Sequence, residues 1–170
     1  MNDAADRRYS IRDAVPADAS AIADLTRRAF EGQAALYEDQ TLPPLSDTAS
    51  TVLEAMERGI VLVAEDTAGS VIGSVRGEMH GESCLVGRLV VEPALQGLGT
   101  GRALARELEG RFASARRFEI FTGHRSEPAL RLYESLGYAR GRTEYIHERL
   151  SLVFFAKERG TPEGRTSPSG

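Results

Sequence analysis

The sequence predicts an α/β fold of the α+β kind, one domain in which helices flank a sheet. Three observations predict it. Apolar runs of strand length follow one another from Ile60 to Val91, separated by turns. Segments with helical periodicity stand before and after that block. Two further strand-like segments, 138–147 and 150–157, then close the ordered part of the chain. A length of 170 residues suits a single domain with a sizeable core.

The elements follow in order. Residues 1–6 are acidic and polar, which does not suit a secretory signal, and 1–8 are expected as a disordered lead-in. Alternation of apolar and polar residues predicts a strand over 9–13. Pro16, Ala17 and Asp18 open a helix to about Phe30, with Ile22, Leu25 and Ala29 on one face. A polar, proline-containing loop spans 31–45. Ser46 or Asp47 can cap a second helix, which places Val52, Leu53 and Met56 inward and ends at Gly59. Strands are predicted over 60–64, 71–79 and 84–91. A helix over 101–115 puts Leu104, Leu108 and Phe112 on one face, and a strand over 118–122 precedes the next helix. Residues 158–170 turn to Gly, Pro, Ser and Thr and are expected as a flexible tail, which leaves 9–157 as the folded domain.

Composition excludes several classes. No apolar run reaches the roughly 18 residues of a membrane span. A net charge of −4 gives no support for nucleic-acid binding and is compatible with a cationic amine. The single cysteine, Cys84, excludes an internal disulfide; with three scattered histidines it argues against a structural zinc site. Cys84 lies in an apolar run and reads as a core residue. No metal is expected, and the cytoplasm is the expected compartment.

The chemistry concentrates at Val91-Glu92-Pro93-Ala94-Leu95-Gln96-Gly97-Leu98-Gly99-Thr100-Gly101-Arg102, where a strand passes through a glycine-rich turn into a helix. The first N–H groups of a helix lack internal partners and sit at the positive end of its dipole, so such a turn can hold an anion. The dinucleotide and Walker glycine loops both fail on spacing. What fits is Gln96-x-x-Gly99-x-Gly101. A second segment, Ser126 to Tyr138, places Ala129, Leu132, Tyr133 and Leu136 on one helical face and stops at Gly137. Pro128 is tolerated in its first turn, and Ser126 can serve as its cap.

On these two motifs the chain resembles the GNAT superfamily of N-acetyltransferases. The first is that family's Q/R-x-x-G-x-G/A pyrophosphate loop. The second is its N-x-x-A-x-x-L-Y-x-x-x-G-F/Y signature, with Ser126 where Asn is commoner. The resemblance spans about 9–157 and implies a mixed, mostly antiparallel sheet flanked by helices, with acetyl-CoA as donor. It implies that Gln96, Gly97, Leu98, Gly99, Thr100, Gly101 and Arg102 receive the pyrophosphate. Leu89, Val90 and Val91 would offer backbone groups to the pantetheine arm, while their side chains pack as strand core. A backbone N–H near Val91 would polarise the thioester carbonyl. Tyr133 is implied as the acid that protonates the departing thiolate; a tyrosine with an ordinary pKa of about 10 keeps its proton at neutral pH. Packed on an apolar face, the same residue also reads as core.

Glu78, His80, Glu82, Glu119 and His124 border the expected acceptor side, and the sequence does not choose a general base among them. His124 and Arg125 could bind acceptor or phosphate, or cap a loop. The leading expectation is N-acetylation of a small-molecule amine. Acetylation of a protein α-amine or lysine, and an idle CoA-binding regulatory module, are the alternatives; a Ser hydrolase is excluded by the lack of a Gly-x-Ser-x-Gly elbow. Exposed strand edges are compatible with a homodimer.

Overall fold

The computed structural model describes residues 8–160. They form two compact units interleaved along the chain, the first running up to Glu78 and resuming over Val86–Ala113, the second comprising Met79–Leu85 and the chain from Ser114 onward.

The first unit holds β1 (Tyr9–Asp13), α1 (Ala19–Tyr37), α2 (Ala49–Arg58), β2 (Ile60–Asp66), nearly all of β3 (Val71–His80), the later part of β4 (Ser83–Val91) and α3 (Thr100–Arg111). Its strand order is β1-β2-β3-β4. β1 and β2 pair antiparallel with Ile11 opposite Ala64, and β2 and β3 pair antiparallel with Leu62 opposite Val75. Apolar side chains from α1 (Ala19, Ile22, Ala23), α2 (Val52, Ala55) and β2 (Val61, Val63) form one buried cluster. Such burial is the main stabilising term for a helix laid on a sheet. Gly73 lets α3 sit close: a Cβ there would stand 2.9 Å from Leu104 Cδ1 and 3.2 Å from the Val90 carbonyl oxygen.

The second unit holds β5 (Arg117–Gly123), α4 (Glu127–Ser135), β6 (Ala139–His147) and β7 (Leu150–Glu158), joined by the start of β4. Strand order here is β4-β5-β7-β6. β4 and β5 run parallel, with Cys84 opposite Phe118. β5 and β7 are antiparallel with Ile120 opposite Phe155, and so are β7 and β6 with Glu144 opposite Leu152. The sheet is therefore mixed and mostly antiparallel, as expected. Cys84 is buried, as a core residue should be.

Several boundaries differ from the sequence reading. α1 does not stop near Phe30 but continues to Tyr37, because Ala34 and Tyr37 extend its buried face; it ends where Glu38 takes a left-handed conformation. The expected loop is thus half helix, followed by a short 3-10 turn over Pro43–Ser46. Neither Ser46 nor Asp47 caps α2. Thr48 does, its Oγ1 accepting from Thr51 N–H at 3.3 Å while its own N–H donates to Thr51 Oγ1 at 2.9 Å. Leu53 is exposed rather than inward. α3 ends at Arg111, and Phe112 and Ala115 are buried beyond it in non-helical backbone. β7 continues through Glu158, which pairs with Arg117. The remainder of the expected tail and all of the expected lead-in but Arg8 lie outside the described residues. Among the described residues no helix is long and apolar enough to cross a membrane.

Candidate active site

In the first unit, β4 ends at Val91 and a 3-10 turn over Pro93–Leu95 leads to Gln96, whose Nε2 donates back to the Val91 carbonyl at 3.3 Å. Gly97 and Gly99 follow at φ 82° and 90°, a left-handed backbone that other residues adopt at a cost. Gly101 is different: it sits inside the first turn of α3 and is not among the glycines with positive φ. The buried Thr100 opens α3, and no side chain caps it. The first main-chain bond along the helix axis is Ala103 N–H to Gly99 O at 3.1 Å. The amides of Thr100 and Gly101 precede it, at the helix start where main-chain donors lie ahead of the first internal turn.

This is a donor set that fits a diphosphate: main-chain N–H groups at a positive helix end, reached through a loop free of bulk. A Cβ placed at Gly97 or Gly99 would meet no protein atom within 4 Å, so backbone conformation, not crowding, is what reserves these positions for glycine. Leu98 is exposed, Val90 is buried, and Leu89, Val91 and Arg102 are half-buried.

Next to Leu89, Arg88 holds φ 48°, one of two non-glycine residues with positive φ among those described. Its Nε donates to Asp47 Oδ2 at 3.0 Å, and its Nη2 lies 3.4 Å from Oδ1. Asp47 is buried just ahead of α2, and Arg76 on β3 approaches the same carboxylate at 3.7 Å. Arg27 on α1 donates to the Asp47 main-chain oxygen at 2.7 Å. The sequence reading missed this group. Its one signal was Arg88, the only charged residue within the apolar run of β4.

In the second unit, Tyr133 lies on α4 and is buried. Its ring meets Phe155 edge-on, with centroids 5.5 Å apart, and lies 6.2 Å from Tyr138. Burial raises its hydroxyl pKa well above the ordinary value of 10.0, so the phenol stays protonated across the neutral range. The buried face of α4 is centred on Leu130, Tyr133 and Leu136, with Ala129 and Leu132 at its margin. Ser126 occupies the N-cap position without a side-chain capping bond, and Gly137 takes the left-handed stop at φ 94°. Tyr133 and the glycine loop thus belong to different units.

The base candidates are spread. Glu78 pairs with Arg58 at 3.8 Å, Glu119 with Arg117 at 3.3 Å and Glu82 with Arg116 at 3.5 Å. Glu78 and Glu119 are half-buried on their strands, and Glu82 is exposed in the turn between β3 and β4. His80 is exposed, and the His124 ring is held by the Ser151 main chain, whose N–H lies 3.0 Å from Nδ1. Among the described residues no cluster of three or more His, Cys, Asp or Glu side chains is arranged to hold a metal ion.

Residues 57–140 match the family described as the acetyltransferase (GNAT) domain. No curated protein matches the sequence. Solved structures are similar over nearly the whole chain. A GNAT superfamily phosphinothricin acetyltransferase from Sinorhizobium meliloti, in complex with acetyl-CoA, is 22% identical, covers 96% of this chain and 95% of its own, and superposes with a TM-score of 0.75. A ribosomal-protein-alanine N-acetyltransferase from Brucella melitensis is 25% identical, with 88% and 99% coverage and a TM-score of 0.70. The ribosomal-protein-S18-alanine N-acetyltransferase of Escherichia coli is 19% identical, with 93% and 98% coverage and a TM-score of 0.70.

Proposed function

Because this chain belongs to the GNAT superfamily of acetyltransferases, we propose that it transfers acetyl from acetyl-CoA to the amine of a small molecule. The observation that carries the reading is the start of α3. Two left-handed glycines lead into a helix that no side chain caps. An uncapped end of this kind suits the pyrophosphate of the donor.

In this reading Gly97, Leu98, Gly99, Thr100, Gly101 and Arg102 hold the pyrophosphate, with Gln96 bracing the loop against Val91. The main chain of Leu89, Val90 and Val91 lies along the pantetheine arm, and a backbone N–H near Val91 polarises the thioester carbonyl. Acetyl-CoA supplies the activated acyl group. The neutral amine forms the new C–N bond, the C–S bond breaks, Tyr133 gives its proton to the thiolate, and the proton shed by the amine nitrogen returns through solvent to the Tyr133 phenolate. At neutral pH the phenol carries a proton to give, while burial makes it a weaker acid than a free tyrosine.

A small acceptor is favoured over a protein by the segment after α1. The family resemblance puts the segment 31–45 on the acceptor side, and there Tyr37 and Pro44 are buried while Asp47, just beyond, is tied to Arg88, an arrangement that favours a closed pocket over an open groove. The ribosomal-protein acetyltransferases among the similar structures keep the protein-substrate reading as the one to test against. Calorimetric titration with acetyl-CoA, then a thiol-release screen on small amines, aminoglycosides and peptides, decides. Saturable binding with release on a small amine is the expected result. Release only on peptides would replace the acceptor class, and binding without release on any amine would point to the idle module. No binding would overturn the reading.

A further inference from the structure

The Asp47 group in the first unit has an unbalanced charge. A single carboxylate, its side chain 6% exposed, faces the Arg88 and Arg76 side chains, which are 23% and 24% exposed. Arg58 and Glu78 also act on Arg76, with opposite signs, and lie 3.8 Å apart as an ion pair, while Arg27 pairs with Asp24. One positive charge is therefore left over in a largely desolvated place, and charge in such a place calls for a partner.

The two arginines are not equivalent. Arg88 spends its Nε on Asp47 at hydrogen-bonding distance. Arg76 stands off at 3.7 Å, an ion pair but not a hydrogen bond, which leaves its planar fork of donors unspent on Asp47. Burial, then the nearby Arg88, lowers the pKa of Arg76, so its positive charge is held at a disadvantage that an incoming anion would relieve. Backbone strain points the same way. An arginine at φ 48° in a strand is an outlier of the sort that accumulates where function sets the geometry. It adjoins Leu89, the first of the residues assigned to the donor's arm.

We infer that Arg76 and Arg88, positioned by Asp47, bind a carboxylate carried by the acceptor, so that the substrate is an amino acid or a close analogue acetylated on its amine. The inference rests on the acetyl-transfer reading and narrows it. It disfavours polyamines and aminoglycosides, whose charge the excess cation would repel. A planar guanidinium fork matches a carboxylate in a bidentate manner, which gives orientation as well as affinity.

The test uses the full-length protein and pairs of probes that differ only in the group concerned: L-amino acids and the matching L-amino-acid amides, each assayed for thiol release from acetyl-CoA. The wild type should prefer at least one acid over its amide by about 10- to 100-fold in kcat/KM, mostly through KM. Arg76→Gln should bring that ratio close to one by loss on the acid. Arg76→Lys should recover part of it. Acetyl-CoA affinity by calorimetry and the thermal midpoint of each variant control for misfolding. Failure of acetyl-CoA to bind the wild type would remove the underlying reading and this inference with it. Binding of acetyl-CoA with no acid acetylated faster than its amide would overturn the inference alone. So would an Arg76→Gln variant that folds and keeps the ratio.

Discussion

Arg88 and Asp47 are tied across 41 positions of sequence by a 3.0 Å bond from Nε to Oδ2, and the arginine makes it from a left-handed backbone. The pair joins the strand that leads to the glycine loop with the residue just ahead of the α2 cap. Removing the carboxylate would leave Arg76 and Arg88 facing each other with nothing between them.

Asp47→Ala is accordingly expected to destabilise the protein by about 2–4 kcal/mol, since a part-buried charge loses its partner. Denaturant unfolding measures it. A loss below about half a kcal/mol would mean that water replaces Asp47 without penalty.

At the loop, Gly97→Val and Gly99→Val should each weaken acetyl-CoA binding by at least about 100-fold, because the left-handed backbone costs a non-glycine residue about 1–2 kcal/mol or more and the loop would rearrange to escape it. Gly101→Ala should leave the helix intact, its backbone being helical already. Calorimetry on the three variants gives the order; equal losses at all three would refute the distinction.

Tyr133→Phe should cut turnover by about 10²–10⁴-fold with little change in acetyl-CoA affinity, as expected for loss of an acid. Turnover at the wild-type level would return Tyr133 to a purely packing role. Its raised pKa also has a stability consequence. The folded state holds the proton more tightly than the unfolded chain, so the contribution is complete below the ordinary value near 10.0 and is lost as the pH climbs beyond it. Thermal midpoints of wild type and Tyr133→Phe should therefore converge or cross above about pH 10. Parallel curves there would contradict the burial argument.

Asp18 carries the opposite sign. It receives two bonds from Arg12, at 2.7 and 3.0 Å, and one from the Val15 amide at 2.8 Å. The Arg12 hydrogen bonds, chiefly, hold its carboxyl below the ordinary 3.8. That stabilisation is present above the unfolded value and drains away as the pH falls below about 4 toward the folded one. Asp18→Asn should lower stability by about 1–3 kcal/mol at pH 7 and flatten the acid limb of the unfolding curve. An unaltered acid limb would place the acid sensitivity elsewhere.

Much of the fold was legible because its signals are local. The strands at Ile60, Val71 and Phe118 announce themselves by apolar runs, and α4 by a period that ends at Gly137. The glycine loop was legible as a loop for the same reason: its residues are adjacent. What escaped is what depends on distant partners. Tyr37 reads as a polar-loop aromatic until α1 is seen to carry it into the core. Asp47 reads as a helix cap, by composition a sound choice, until Arg88 and Arg76 arrive from two strands to claim its carboxylate and Thr48 takes over the cap. No window along the sequence contains both arginines and their acid.

Gly73 acts as a depth gauge for the ligand-facing end of α3. Its missing side chain is what allows Leu104 to descend onto β3, with Thr100 Cγ2 only 3.4 Å from where a Cβ would be. Thr100 is also the residue that begins the row of amide donors. A methyl at position 73 would push Leu104 Cδ1 aside and press on the Val90 carbonyl, beside the Thr100 methyl at the start of the helix. Affinity for acetyl-CoA should therefore register Gly73→Ala, although no phosphate would ever touch that residue. The seating of a helix on its sheet and the tuning of an anion cradle would then be one adjustment, made from beneath.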